Sequence, residues 1–279
     1  MSQYVVRDLF VYPLKSAAGT RVTRADLDRF GFIGDRRWMV VDADGRFLSQ
    51  RELPRMALLQ AHTRPDGLTL DAPGMPTLHL TIPAEGSPPQ AITIWDDRCQ
   101  AREAPAAASW ISTFLEHTSR VVYAPPEMLR EVDPEYAGAG GHVAFTDGYP
   151  LLLIGQGSLD DVNARLAATG AAPVPMNRFR PNVVIDGAPP YAEDRWRRLS
   201  IGPPDAAVTL DIVKPCARCA IVPVDQATGI RGTEPLTTLS TYRRRHGKVY
   251  FGQNVMHRST GTIRVGDPVR VIEEVDAMA

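Results

Sequence analysis

Roughly the first hundred residues are cut into short alternating runs by tight-turn sequences, and that cadence limits the fold more than any other feature of the chain. Residues 4–12 read as a strand that stops at Pro13, just before Lys15-Ser16. Residues 37–41 and 46–48 flank Asp42-Ala43-Asp44-Gly45, a hairpin signal, and residues 58–63 and 68–70 flank Pro65-Asp66-Gly67 in the same way. Residues 78–82, 91–95 and 98–103 continue the series. Strands this short and this closely spaced make a small barrel or sandwich rather than a parallel α/β sheet.

Beyond this point the pattern changes. Pro105 can open a helix to about His117, with Ala108, Ile111 and Leu115 on one face. A strand over 120–123 leads into a Pro- and Gly-rich loop, residues 124–142, where periodicity lapses. The expected boundary lies at its start, giving units 1–123 and 124–279, although a loop of this length could also serve as a lid. Residues 151–154 form a buried-looking strand, and Ser158 can cap a helix to about Ala168. Gly155-Gln156-Gly157 lacks the third glycine of a dinucleotide fingerprint and no βαβ unit is expected, so these glycines read as turn residues. Strands follow over 182–186, 207–213, 262–265 and 269–273, with a short helix over 235–243.

Composition narrows the function classes. The chain has 279 residues, 44% of them hydrophobic and 23% charged, enough for two domains with ordinary cores. A net charge of −1 with no long run of one sign argues against nucleic acid or a membrane surface as the main partner. Residues 1–8 show neither a basic nor an apolar leader region, and no stretch reaches the ~20 apolar residues that span a bilayer, so a cytoplasmic protein is expected. Three cysteines make no disulfide framework, and the six histidines show no H-x₃₋₅-H spacing.

Two of those cysteines fall in Lys214-Pro215-Cys216-Ala217-Arg218-Cys219, at the end of an alternating strand. Pro215 cannot donate to a ladder, so the strand should end or bulge there. A thiolate on a stiff edge beside a cation suits a soft metal or redox chemistry. Cys219 is the prime candidate, while Cys216 reads as a packing residue. A zinc site, a regulatory disulfide and a persulfide carrier remain open on the residues alone.

The same six residues, followed by Val224-Asp225, Thr228-Gly229, Glu234-Pro235-Leu236, Phe251-Gly252-Gln253-Asn254 and Gly261-Thr262-Ile263 through Pro268, resemble the MOSC domain (molybdenum cofactor sulfurase C-terminal domain). Tyr12-Pro13-Leu14-Lys15-Ser16 and Gly34-Asp35-Arg36-Arg37-Trp38 resemble the β-barrel domain that precedes it in the family. Asn177, Phe179-Arg180-Pro181-Asn182 and Tyr191-Ala192-Glu193-Asp194 extend the match, so that it covers essentially the whole chain. The pattern is most similar to the amidoxime-reducing branch, whose members are molybdenum enzymes.

The resemblance implies a mainly β fold, an N-terminal barrel-like domain plus a MOSC β-barrel with a few short helices. It implies a molybdenum cofactor (Mo-molybdopterin) with Cys219 as the metal ligand. Lys15, Ser16, Arg36, Asp147, Gly148, Tyr149, Arg180, Asn182, Ala217, Arg218 and Asn254 occupy cofactor-binding positions. Lys15 and Arg36 are expected to clamp it from one side, Arg180 and Cys219 from the other. Arg218 would act as a backbone donor and as a cation beside the thiolate. Asp147 would assist proton delivery, though it serves equally well as a turn residue before Gly148. Gly148-Tyr149, Ala217 and Asn254 stand where relatives carry a hydroxyl-bearing pair, a serine and a tyrosine, so hydroxyl contacts are lost while backbone contacts remain. The implied reaction reduces an N-hydroxylated or N-oxide compound, with electrons from a ferredoxin, flavodoxin or cytochrome-type protein and its reductase. The alternative is a sulfur-carrier or cofactor-delivery protein with a persulfide on Cys219.

Overall fold

The computed structural model describes residues 4–137 and 141–275. The start of the chain and Gly138-Ala139-Gly140 of the long loop lie outside the described residues. Seven strands close into a barrel: β1 (Tyr4–Val11), β2 (Leu151–Gly155), β3 (Val183–Asp186), β4 (Trp196–Ile201), β5 (Val208–Ala217), β6 (Lys248–His257) and β7 (Pro268–Glu274). Their order around the wall is β2-β3-β1-β7-β4-β5-β6. The pairs Leu151↔Val255, Leu152↔Asn254 and Leu153↔Gln253 join β6 back to β2 and remove the last edge.

The sequence accounts for which strands are covered on both sides. Every residue of β2 is buried. Leu151 and Leu153 face the barrel core with Val6, Leu9, Val183, Ile185 and Leu210. Leu152 and Ile154 face outward, under Leu159, Val162 and Leu166 of the helix Gln156–Ala168. Cover on both faces explains a continuous apolar run in place of alternation. That helix joins β2 to β3, which lie parallel, so a βαβ crossover is present where none was expected. The two glycines at its start are close-approach residues. A Cβ on Gly157 would stand 2.6 Å from the Ala188 carbonyl oxygen. Ser158 is not the cap, because the helix already begins at Gln156. Its hydroxyl instead donates to the buried Glu193, at 2.7 Å from Oε1.

The first half packs two small antiparallel sheets around one core. Trp38–Val41, Arg120–Tyr123, Asp97–Glu103 and Pro89–Ile94 form the four-stranded sheet; Gln60–Arg64, Gly67–Asp71 and Leu78–Thr81 form the other. Trp38, Val40, Leu68, Leu70, Leu80 and the helix residues Ile111 and Phe114 share that core. Two strands of this half are lent to the second. β1 pairs with β3 and β7, and Arg24–Asp28 pairs with Gly261–Arg264. These exchanges hold the two halves edge to edge and leave a cleft between them.

Candidate functional site

The cleft is lined by all twelve residues singled out from the sequence: Lys15, Ser16, Arg36, Asp147, Gly148, Tyr149, Arg180, Asn182, Ala217, Arg218, Cys219 and Asn254. Arg51, Thr146, Phe179, Cys216 and Ile221 complete most of the lining.

Lys15 follows β1 and is locked in place when its backbone N–H donates to the Trp38 carbonyl at 2.8 Å. Its buried Nζ donates to the Phe145 carbonyl at 2.8 Å and to Asp147 Oδ1 at 2.5 Å. Burial outweighs Asp147 and pulls the ammonium pKa down to about 8. Asp147 receives a second cation, Arg51 Nη2 at 3.2 Å. Burial works to raise its pKa, but Lys15 and then Arg51 hold the carboxyl well below the usual range. More than half of this side chain (55%) is open to solvent, which screens the pull of the two cations. Behind it the buried Arg130 donates to the carbonyls of Ala144, Thr146 and Asp147, fixing the loop that presents the carboxylate.

Arg36 and Arg180 share one wall rather than facing each other. Both guanidinium groups lie on the ring of Tyr12, at 4.2 and 4.4 Å from its centroid. Both residues also hold left-handed backbone, with φ of 46° and 58°. Arg36 Nη1 donates to Asp35 Oδ2 at 2.5 Å and to Asn182 Oδ1 at 2.9 Å. Arg180 Nη1 donates to the Ala17 carbonyl at 2.6 Å, and burial brings its pKa down to about 10. The Asn182 amide accepts from Leu152 N–H and donates to the Phe10 carbonyl, so it ties β1 to β2.

The thiols sit where β5 breaks register. The ladder to β6 slips between Ile212 and Lys214 and again between Pro215 and Ala217, the bulge that Pro215 requires. Arg218 differs from expectation. Its backbone N–H donates to the Val249 carbonyl, and its side chain binds Cys216 Sγ at 3.1 Å and the Phe179 carbonyl at 2.6 Å. Cys216 also packs against the outer cluster of Phe179 and Phe251, and burial pushes its thiol pKa up. Arg51, a further cation of the cleft, feels the charge of Cys219. Burial opposes its charge, yet Asp147 and then Cys219 hold its pKa above the ordinary guanidinium value. Arg51 also lies over the half-exposed Trp95 ring, 4.5 Å from its centroid. Ser49-Gln50-Arg51 belongs to no motif, so the sequence offered nothing to single it out.

Three buried polar atoms of the lining have no partner in the protein: Arg51 Nη1, Arg218 Nε and Thr146 Oγ1. Such atoms are costly unless something outside the protein satisfies them. Among the described residues no three His, Cys, Asp or Glu side chains converge as a metal-ligand set, so Cys216 and Cys219 lack the partners of a protein zinc site.

Comparison with known proteins bears on this arrangement. The MOSC N-terminal beta barrel domain matches residues 3–118 and the MOSC domain matches residues 140–270. Mitochondrial amidoxime-reducing component 1 of Mus musculus is 35% identical over 96% of this chain and 82% of its own length. The chain belongs to the MOSC family. The Homo sapiens component 1 is 34% identical with the same coverage. A molybdenum cofactor sulfurase of Danio rerio is 30% identical over 92% of this chain but only 32% of its own length. The expectation of a cytoplasmic protein is corrected here, because MOSC relatives matching nearly the whole chain are named mitochondrial components. Among the described residues no helix is long and apolar enough to cross a membrane.

Proposed function

We propose that this MOSC protein is a molybdenum-cofactor-dependent oxidoreductase that reduces N-hydroxylated or N-oxide compounds, taking electrons from a separate redox protein. One observation carries the reading: the part-buried Cys219 thiol lies beside Cys216 in a cleft with Lys15, Arg36, Arg51, Arg180 and Arg218, where three buried polar atoms have no protein partner. An anionic, oxygen-rich ligand fits those cations and orphaned atoms, and a soft thiolate beside them fits molybdenum. When bound, the molybdenum–pterin group supplies the two-electron chemistry.

The protein's own part is charge, orientation and a proton. Cys219 contributes the one sulfur ligand from the chain. Lys15, Arg51 and Arg218 neutralise the anion, while Ser16, Arg36, Gly148, Tyr149, Arg180, Asn182, Ala217 and Asn254 shape the walls. Lys15 and Asp147 form the proton-handling pair. Because its two cations keep Asp147 ionised, the movable proton of the pair is on Lys15 Nζ, whose pKa of about 8 lies close to neutrality. The overall change breaks the N–O bond: two electrons and two protons convert N–OH to N–H and water. The donor is of ferredoxin, flavodoxin or cytochrome type. Residues 1–123 and 124–279 act as two sequence modules, a division supported by family matches on either side of it.

Match to a molybdenum cofactor sulfurase over 92% of the chain favours a second reading, a sulfur carrier with a persulfide on Cys219. Purification from a molybdate-replete host with molybdenum, pterin and sulfane sulfur quantified separates the two. Stoichiometric molybdenum and pterin, lost in Cys219→Ala, supports the reductase. Sulfane sulfur without molybdenum supports the carrier.

A further inference from the structure

Positive charge is not spread evenly over this chain. Residues 243–248 read Arg-Arg-Arg-His-Gly-Lys in a protein of net charge −1. A run of this kind is ordinarily a solvated face, but its setting is unusual. Arg244–Arg245 pairs with the start of β6 to form a hairpin that turns at His246 (φ 46°) and Gly247. Beside it lies a groove of about 450 Å³ whose lining includes Tyr136, Arg197, Lys214, Pro215, His246 and Tyr250. The groove's one acid, Asp194, is already occupied by Arg243 at 2.7 Å and by Gln253 Nε2 at 2.7 Å. Among the described residues no carboxylate lies within ion-pair distance of Arg197, Lys214, Arg244 or Lys248. With four cationic side chains (Arg197, Lys214, Arg243 and Arg245) against one carboxylate, the lining of the groove has a net positive field.

Its location ties it to the active site. Lys214 and Pro215 immediately precede Cys216 on β5, and Asn254 and Tyr250 of β6 pair with Lys214 and Ala217. This strand pair is a shared wall. Cys216, Ala217 and Asn254 line the cleft, while Lys214, Pro215 and Tyr250 line the groove. A group seated in the groove would be separated from the cleft by this strand pair.

We propose that the hairpin and its groove dock the acidic face of the electron-donor protein, placing the donor's redox group behind the strand that leads to Cys219. This rests on the reductase reading. Each turnover oxidises the donor by two electrons, in two encounters for a one-electron carrier, and the substrate's oxygen leaves as water with two protons from solvent. Charge complementarity selects the partner, which is a protein with a carboxylate-rich surface around its redox group.

The test uses a plant-type [2Fe–2S] ferredoxin, an acidic one-electron carrier, as the probe. Calorimetric titration of the full chain at low ionic strength and at about 0.3 M, where the Debye length falls below ~10 Å, measures binding and its salt dependence. Arg244→Glu/Lys248→Glu is expected to weaken binding at least about tenfold and to flatten the salt dependence. Arg98→Glu, on the four-stranded sheet of the first half, is expected to change neither. Turnover with reduced ferredoxin should fall in step with binding, while turnover with a reduced viologen dye should persist. Unchanged binding in the double variant, or no binding by the parent protein, overturns the docking site. Retention on phosphatidylserine vesicles without ferredoxin binding also overturns it and assigns the hairpin to a lipid surface. A parent protein that carries no molybdenum and turns over with neither reductant sinks the reductase reading instead, a result separable from the titration.

Discussion

The two walls of the cleft contrast in how their hydrogen bonds are spent. On the wall around Tyr12, Arg36 is taken up by Asp35 and Asn182, and Arg180 by the Ala17 carbonyl. On the wall opposite in role, Arg51 Nη1, Arg218 Nε and Thr146 Oγ1 are buried without partners. The first wall is complete as folded and acts through shape and fixed charge. The second is incomplete, as are Arg37 Nε, Arg120 Nε and His257 Nδ1 elsewhere, and its unspent capacity points to a ligand only together with the cleft and its cations. The arginines of the cavity are thus two populations: Arg36 and Arg180, with no buried donor left over, and Arg51 and Arg218, which bond Asp147, Cys216 and Phe179 yet each keep a buried donor spare.

Four experiments press on this contrast, beginning with the largest expected effect. Cys219→Ala should lose molybdenum and at least about a hundredfold of reductase activity, whereas Cys216→Ala should keep the metal and lose only about 1 kcal/mol of stability; equal metal loss in both would assign ligation to the pair. Arg36→Met strands Asp35, whose side chain is 2% exposed, and should cost about 3 kcal/mol in chemical denaturation. Arg51→Met should barely move the denaturation midpoint yet weaken pterin retention about 10–100-fold. If instead Arg51→Met unfolds the protein and Arg36→Met only sheds pterin, the two populations are the wrong way round.

The smallest effect is set by pH. Lys15 is charged below about 8 and gives up its proton as pH rises through that value, so pterin retention should fall, by about tenfold, over the unit above it. Stability of the cofactor-free chain should move the other way. Burial lowers the folded pKa from 10.5 to about 8, so the unfolded chain holds more protons between those values and this group adds stability as pH rises across them. Lys15→Met should erase both trends, measured by pterin fluorescence after dialysis and by thermal midpoint.

Much of the cleft was legible because its residues sit in compact motifs. Lys15-Ser16, Phe179-Arg180-Pro181-Asn182 and the two-cysteine segment each mark a bulge, a left-handed turn or a strand end that local sequence must encode. Arg51 was not legible. Its role comes from Trp95 beneath it and from Asp147 and Cys219, residues remote in sequence. The parallel β2–β3 pair escaped for a related reason. Gly155-Gln156-Gly157 read as turn residues, but the pairing of Leu153 with Val183 depends on a register 30 residues away. Arg218 was expected as a cation beside the thiolate, and its side chain leaves the bulge toward the Cys216 sulfur.

β1 precedes its barrel partners, Val183–Asp186 and the stretch beginning at Pro268, by more than 170 residues. During synthesis the second half of β1 can pair early with Thr20–Val22, but the edge that joins Val183–Asp186 stays open until those residues have emerged. Slow assembly, and aggregation of nascent chains or of chains cut before Pro268, is the expected cost of a barrel whose neighbouring strands lie this far apart in sequence.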